Sequence, residues 1–381
     1  MGPTMADRFY FDNNATTPVS PEVFAAMAPV MTEVFGNASS IHTFGQEARK
    51  LLDDARRDVA ALIGAGPKEI VFTSGGTESD NTALFGFGWQ AHVITTSVEH
   101  PAILQASGQL PFVTAVPVDG RGLVNPDDVR RALRPRTKLI SVMHVNNELG
   151  VIQPIEEIAK IAHEEGIMFH SDGVQAPGKI PVDVNRLGVD LYSISAHKIY
   201  GPKGMGALYV KKDTALPPMI FGGPHEHKLR AGTENVAGAV GFGRAARWVI
   251  EQGAAEAARL CVLRDRLEQG ILDRVPDAHV NGAGAPRVSN TSNMRFDGID
   301  SEPLLIALDL RGFAVSSGSA CSSGATEPSH VLAAIGLTRE QAKSSVRFSL
   351  GRWNTVEQID ALIHAVAAVV AHLRKLAPAY V

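Results

Sequence analysis

The sequence predicts an α/β fold in which a mostly parallel sheet is covered by helices on both faces and joined to a smaller α+β domain. Two observations across the 381 residues carry that expectation. Between about residues 69 and 210, short runs rich in Val, Ile and Phe alternate with stretches of helical periodicity, which is how parallel strands and their crossover helices read. Past Gly222 the alternation gives way to one long helical stretch and then shorter strands. A large domain is expected over residues 19–255 and a small one from 1–18 plus 256–381, since the termini of such chains are often close in space.

In order, residues 8–18 (RFYFDNNATTP) read as a short strand entering a polar turn. Val23, Phe24, Met27, Val30, Met31 and Val34 then keep helical spacing over 21–35. A longer helix over 46–63 places Leu51, Leu52, Ala55, Val59 and Leu62 on one face, and Gly64, Gly66 and Pro67 stop it. EIVFT is a strand and 77–87 a helix; AHVITTSV is a strand, and a short helix follows Pro101. Further strands are predicted at 112–118, 138–145, 166–170, 190–195 and 206–210, with helices at 125–133 and 154–165. The later part predicts a helix over 235–274 bent near Gly253, strands at 288–296 and 313–316, and helices at 302–310 and 358–376.

Hydrophobic residues at 45% and charged residues at 20% match a soluble globular protein and exclude a disordered or fibrous class. The net charge is only −4, with no long basic run, so nucleic acid and anionic membrane are poor partner candidates. The N-terminus lacks the basic start and apolar run of a signal peptide, and the apolar stretch 361–373 is too short to span a bilayer. A cytoplasmic protein is expected. Cys261 and Cys321 make no disulfide framework, and no CxxC pair suggests a metal site.

The chemistry concentrates where strands end. One apolar run leads to Asp172 and a second to Ser195-Ala196-His197-Lys198, and polar groups at the ends of neighbouring buried strands share one crevice in open α/β sheets. A lysine there can form a Schiff base with an aldehyde, while a buried aspartate keeps a pyridine nitrogen protonated, which is what pyridoxal phosphate asks of a protein. A plain Asp–Lys ion pair would read the same way. EIVFTSGGTESDN adds a strand, a glycine turn and a helix opening with Thr77-x-x-Asp80, a spacing like a capping box. Its helix N-terminus suits an anion such as phosphate, although a capped turn needs no ligand. Glu99-His100, Asn146-Asn147-Glu148 and Asp172 with Gln175 close three further strands. A lone histidine is usually structural; recurrence of such clusters at consecutive strand ends favours a site.

TSGGTESDN, VEHPA, VNNELGVIQPI, Asp172-x-x-Gln175, SISAHKIYGPKG, RAGTEN, SSGSACSSG and VRFSLGR occur in an order and spacing that resembles the cysteine desulfurases, pyridoxal phosphate enzymes of fold type I. The likeness covers nearly the whole chain. It implies that Lys198 carries pyridoxal 5'-phosphate as a Schiff base, that Asp172 pairs with the ring nitrogen, and that His100 stacks on the ring and shuttles protons. Gln175 and Asn147 would bond near the ring's phenolic oxygen, Gly76, Thr77, Ser195 and His197 would hold the phosphate, and Thr233 would reach the phosphate of a partner subunit in a homodimer. Asn13 and Arg347, with Asn147, would contact the substrate carboxylate, which a planar guanidinium suits. The implied reaction converts L-cysteine to L-alanine and leaves the sulfur on Cys321 as a persulfide, for delivery to an iron–sulfur cluster scaffold or another sulfur acceptor. A selenocysteine lyase, an aminotransferase on the same fold and a non-catalytic sulfur carrier are the alternatives.

Seven of the nine residues from Ser316 to Gly324 are Ser or Gly, so Cys321 is expected on a flexible loop, with its thiol activated by the site since no Lys or Arg lies close in sequence. Cys261 reads as a buried, inert thiol on an apolar helix face. The segment Gly222-Gly223-Pro224-His225-Glu226-His227 departs from the family pattern, as does GNASS, where a proline is more usual after Asn. His225-x-His227 has the spacing of a metal pair but no third ligand is indicated, so no metal site is assigned.

Overall fold

The structure is a computed structural model that describes residues 8–317 and 328–376; Cys321 lies outside the described residues. A two-residue strand, β1 (Phe9–Tyr10), enters the polar turn, and α1 (Pro21–Thr32) and α2 (Thr43–Leu62) follow. His42 caps α2 by accepting from Gly45 N, and the helix buries Ala48, Leu52, Ala55 and Val59 on one face. The alternating part comprises β2 (Ile70–Thr73), α3 (Gly76–Gly88), β3 (His92–Thr96), α4 (Pro101–Ser107), β4 (Phe112–Val116), α5 (Pro126–Arg131), β5 (Thr137–Ser141), α6 (Ile155–Glu164), β6 (Met168–Asp172), α7 (Val184–Leu187), β7 (Leu191–Ser195) and β8 (Gly206–Val210). These strands form one seven-stranded sheet in the order β2-β8-β7-β6-β5-β3-β4, in which β8 runs against both its neighbours and the rest are parallel. The predicted mostly parallel sheet is thus present, with one reversed strand.

A single helix, α8 (Val236–Leu272), follows and continues through Gly253. After it come β9 (Ala278–Asn281), β10 (Thr291–Phe296), α9 (Ser301–Asp309), β11 (Phe313–Ala314), α10 (His330–Ala334), α11 (Arg339–Lys343), β12 (Ser345–Ser349) and α12 (Val356–Leu376). β9, β10 and β12 make a three-stranded antiparallel sheet, and β1 pairs with β11, which sets the N-terminal strand among the C-terminal elements. β9 and β12 were not predicted. Every residue of β12 is buried, so SVRFS shows none of the alternation that betrays a one-sided strand.

One apolar cluster takes Ala239, Phe242, Ala245, Ala246 and Val249 from the first half of α8, together with the large sheet; a second takes Leu260, Leu263, Leu267 and Ile271 from its other half, together with β10, β12 and α12. α12 runs to 21 residues, longer than the stretch seen in sequence, and by length and composition it could cross a membrane. Here Ile359, Leu362, Ile363, Val366, Val369 and Val370 face the second core.

The segment that departs from the family pattern is held from inside. Glu226 accepts two hydrogen bonds of 2.6 Å from the Arg56 guanidinium and one of 2.8 Å from Phe72 N, all buried. Removing one partner of such a pair costs about 3–5 kcal/mol, because the other charge stays buried. That anchorage sustains left-handed backbone at Glu226, His227 and Lys228 (φ 45°, 58° and 68°). Glu226 therefore turns inward between the two histidines, and no group of three or more metal-ligating side chains occurs among the described residues.

Candidate active site

Five parallel strands of the large sheet end at one crevice. β6 ends on Asp172 and β7 on Ser195; β2 runs into the glycine turn before α3, β3 leads to Glu99 and His100, and β5 to the turn at Asn146–Glu148.

The turn after β2 is built for close approach. A side chain at Gly76 would bring its Cβ within 2.6 Å of Val174 Cγ2, and α3 opens at Gly76 and Thr77 with the unpaired N–H groups of a helix start. The capping differs from the predicted spacing. Glu78 Oε2 accepts from Ser74 N at 2.8 Å, whereas Asp80 is buried beneath the helix, because Asp80 faces the sheet and Glu78 the turn. Ser195 is buried at the end of β7, and its Oγ has no hydrogen-bond partner among the described residues. His197 Nδ1 meets Thr16 Oγ1 at 3.0 Å, and burial, with Lys198, Lys203 and Lys179 nearby, pushes the imidazole pKa down to about 3. An unused buried hydroxyl, bare helix N–H groups and a field rich in cations are what a phosphate dianion needs. Arg230 reaches the first turn of α3, Nε to Glu78 Oε1 at 3.0 Å, and Thr233, three residues on, is exposed.

On the ring side, Asp172 is buried and its Oδ1 accepts from Val174 N at 2.9 Å. Burial raises its pKa, while His100 and Lys198 pull it down. His100 caps α4: its Nδ1 accepts from Ala102 N at 3.1 Å, so the ring proton sits on Nε2, and burial lowers its pKa and keeps the ring neutral near pH 7. A carboxylate able to accept from a pyridinium, beside a neutral imidazole, fits the ring of pyridoxal phosphate.

Glu99, next to His100, is fully buried and accepts from Thr96 Oγ1 at 2.7 Å and Met143 N at 2.9 Å, yet burial lifts its pKa to about 8. The folded pKa lies above the unfolded one, so the stability contributed by this group is full below about pH 4.5 and is lost as the pH rises through about 8. Glu99→Gln is expected to remove that component. Its Tm should fall less than wild type between about pH 5 and pH 8, on a scale of roughly 1 °C per kcal/mol for a chain of this length. An unchanged fall in thermal melts would show that Glu99 ionises normally.

The residue at the centre of the site is Asn14, which sequence reasoning passed over. Its backbone carbonyl accepts from Lys198 Nζ and from Gln175 Nε2 at 2.9 Å, and Lys198 also donates to Ala15 O at 2.8 Å. Its side-chain Nδ2 donates to Asn147 O at 3.1 Å and Thr291 Oγ1 at 2.9 Å. Lys179, also overlooked, donates to Gln175 Oε1 and to Asn14 Oδ1. The polar run DNNATT and the four-residue spacing from Gln175 to Lys179 were the available signals. Asn13 donates from Nδ2 to Ser349 O at 2.9 Å, and Arg347, buried in β12, donates to Asn147 O at 3.0 Å and Asp12 Oδ1 at 2.6 Å. The turn after β1 is thereby joined to β12 beneath the crevice, and Arg347 is held in a fixed orientation by Asp12.

Cys261 is only partly buried, not the fully buried thiol expected. It stands on α8 between core-facing Leu260 and exposed Val262, with Sγ 3.4 Å from Arg264 Nη2 and 3.7 Å from Asp265 Oδ2.

Residues 9–362 match the family described as Aminotransferase class-V. The chain belongs to the aminotransferase class-V family. This class-V chain is 48% identical over 383 residues to the cysteine desulfurase IscS of Dictyoglomus turgidum, covering 98% of this chain and 97% of that one. Among solved structures, it is similar to a NifS-like protein (TM-score 0.89, 36% identity, 96% of this chain and 100% of the other) and to SspA in complex with cysteine (TM-score 0.82, 36% identity, 91% and 99%). Pyridoxal phosphate dependence and the α/β fold expected from the sequence both agree with this family.

Proposed function

We propose that this chain is a pyridoxal phosphate-dependent cysteine desulfurase that releases L-alanine from L-cysteine and passes the sulfur through Cys321 to an acceptor protein, such as an iron–sulfur cluster scaffold. The observation that carries the reading is the convergence at one crevice of Lys198, Asp172, His100 and the Gly76–Ser195–His197 cradle, in a chain 48% identical to a cysteine desulfurase.

When bound, pyridoxal phosphate supplies an aldehyde for amines and an electron-withdrawing ring that acidifies the substrate's α-carbon. The protein's residues do the rest. Gly76, Thr77, Ser195 and His197 would hold the phosphate; Asp172 would keep a proton on the ring nitrogen; His100 would cover the ring and offer a transferable proton on Nε2. Lys198 would provide the amine and move the α-proton, while Arg347, set by Asp12 and Asn147 O, and Asn13 would orient the substrate carboxylate. The thiolate of Cys321 attacks the substrate sulfur: an S–S bond forms, the C–S bond breaks, its electron pair remains with the substrate carbon, and protonation there yields alanine. Gln175 and Asn147 would bond the phenolic oxygen.

A homodimer and a cytoplasmic location belong to the same reading. Met31, Phe35, Ile41 and Phe44 expose an apolar patch on the α1–α2 corner, with Phe35 and Phe44 stacked at 5.6 Å, which suits a second copy of the chain that would also receive the exposed Thr233. The test is purified protein mixed with L-cysteine. A yellow protein that releases alanine and acquires one persulfide sulfur on Cys321 supports the proposal; colourless protein that carries sulfur without releasing alanine defeats it, and stronger turnover of selenocysteine than cysteine would redirect it to a selenocysteine lyase.

A further inference from the structure

We propose that Lys179 is a positioning residue that fixes the amide of Gln175 as a hydrogen-bond donor toward the cofactor. The inference rests on the pyridoxal phosphate reading above. Gln175 has two partners of opposite kind: its Oε1 receives the Lys179 Nζ hydrogen bond, and its Nε2 donates to Asn14 O at 2.9 Å. Lys179 Nζ donates to the amide oxygen and the Asn14 carbonyl can only accept, so these two contacts fit one orientation of the amide. Its oxygen is occupied by Lys179, and the remaining hydrogen on Nε2 is the one available to a bound oxyanion.

The same amine fixes Asn14. Asn14 Oδ1 accepts from Lys179 Nζ at 3.2 Å and from Asn290 Nδ2 at 3.1 Å, which turns Nδ2 toward Thr291 and Asn147. The carbonyl of this immobilised residue is the one that Lys198 and Gln175 share. Without Lys179 the Gln175 oxygen loses its donor, and the bond from Nε2 to Asn14 O alone holds the amide.

Lys179 also stands close to Lys198. It lines, with Lys198 and with Glu256 of α8, a cavity of about 30 Å³. Burial and the nearby Lys198 and Arg347 hold its own pKa well below that of an ordinary lysine. Among the described residues, Asp172 of β6, His100 at the start of α4, His197 and Lys203 beyond β7, and the Arg347–Asp12 pair also face the site. An N–H donor to the phenolic oxygen would favour the deprotonated chromophore, so weakening the hold on Gln175 by loss of Lys179 must raise the pH at which the chromophore titrates.

The test is the pH titration of the visible absorption of pyridoxal phosphate-loaded protein, without substrate. Lys179→Met is expected to raise the midpoint by about one pH unit, equivalent to about 1.4 kcal/mol. Gln175→Met is expected to move it in the same direction, and the double variant by less than the sum, since part of the Lys179 effect passes through Gln175. Lys179→Arg, which keeps a donor to Gln175, should lie closer to wild type than to Lys179→Met. A midpoint unchanged in Lys179→Met, full additivity in the double variant, or an arginine variant as displaced as the methionine one each overturns the role of Lys179. Wild-type protein with no titrating visible band would instead defeat the cofactor reading on which it rests.

Discussion

Lys198→Ala protein is expected to retain pyridoxal phosphate yet turn over cysteine at least about 10⁴-fold more slowly than wild type, because the amine and the proton carrier at the α-carbon are lost together. Retention follows from the separation of proposed duties in the crevice: Gly76, Thr77, Ser195 and His197 would address the phosphate, and Asp172 the ring, without help from Lys198. The covalent attachment itself is read by borohydride reduction of wild-type protein and peptide mass mapping, with the reduced adduct expected on Lys198. Lys179 is the informative rival, since its amine shares Asn14 and a small cavity with Lys198. An adduct on Lys179 or Lys203 would overturn the assignment.

Cys321→Ser is expected to abolish persulfide formation and to cut alanine release from cysteine by about two orders of magnitude or more, the general scale for loss of a positioned reacting group. Cofactor binding and the spectral change on adding cysteine should remain, because every group assigned to those steps lies elsewhere. Cys261→Ser supplies the contrast. Its thiol lies on α8 beside Arg264 and Asp265, and its removal is expected to change neither product. Alanine release at the wild-type rate by Cys321→Ser, or a persulfide mapped to Cys261, would reassign the nucleophile.

The strand ends were legible because parallel strands advertise themselves twice: by an apolar run, and by the polar residue that stops it. Asp172, Ser195, His100 and the glycine turn could all be placed that way. Asn14 could not, since its principal contribution is a backbone carbonyl, which any residue provides and no side-chain pattern marks. β12 was missed because burial on both faces erases the two-residue period, and Arg347 within it made the run look less like a strand. The inward turn of Glu226 escaped for a third reason: its partner, Arg56, lies 170 residues away in sequence, and only the fold joins them.

The passage of α8 through both apolar cores has a consequence for how this chain can vary. Its 37 residues extend for about 55 Å, and the faces that enter the two cores are related by the turn of the helix between them. Adding or deleting one residue near Gly253 would rotate everything downstream by about 100°, so that Leu260, Leu263 and Leu267 could keep their pocket only if the whole C-terminal lobe swung with them. Length changes are therefore tolerable in the loops but not in this helix. Any exchange of C-terminal segments between this chain and its relatives must preserve the helical phase across Gly253.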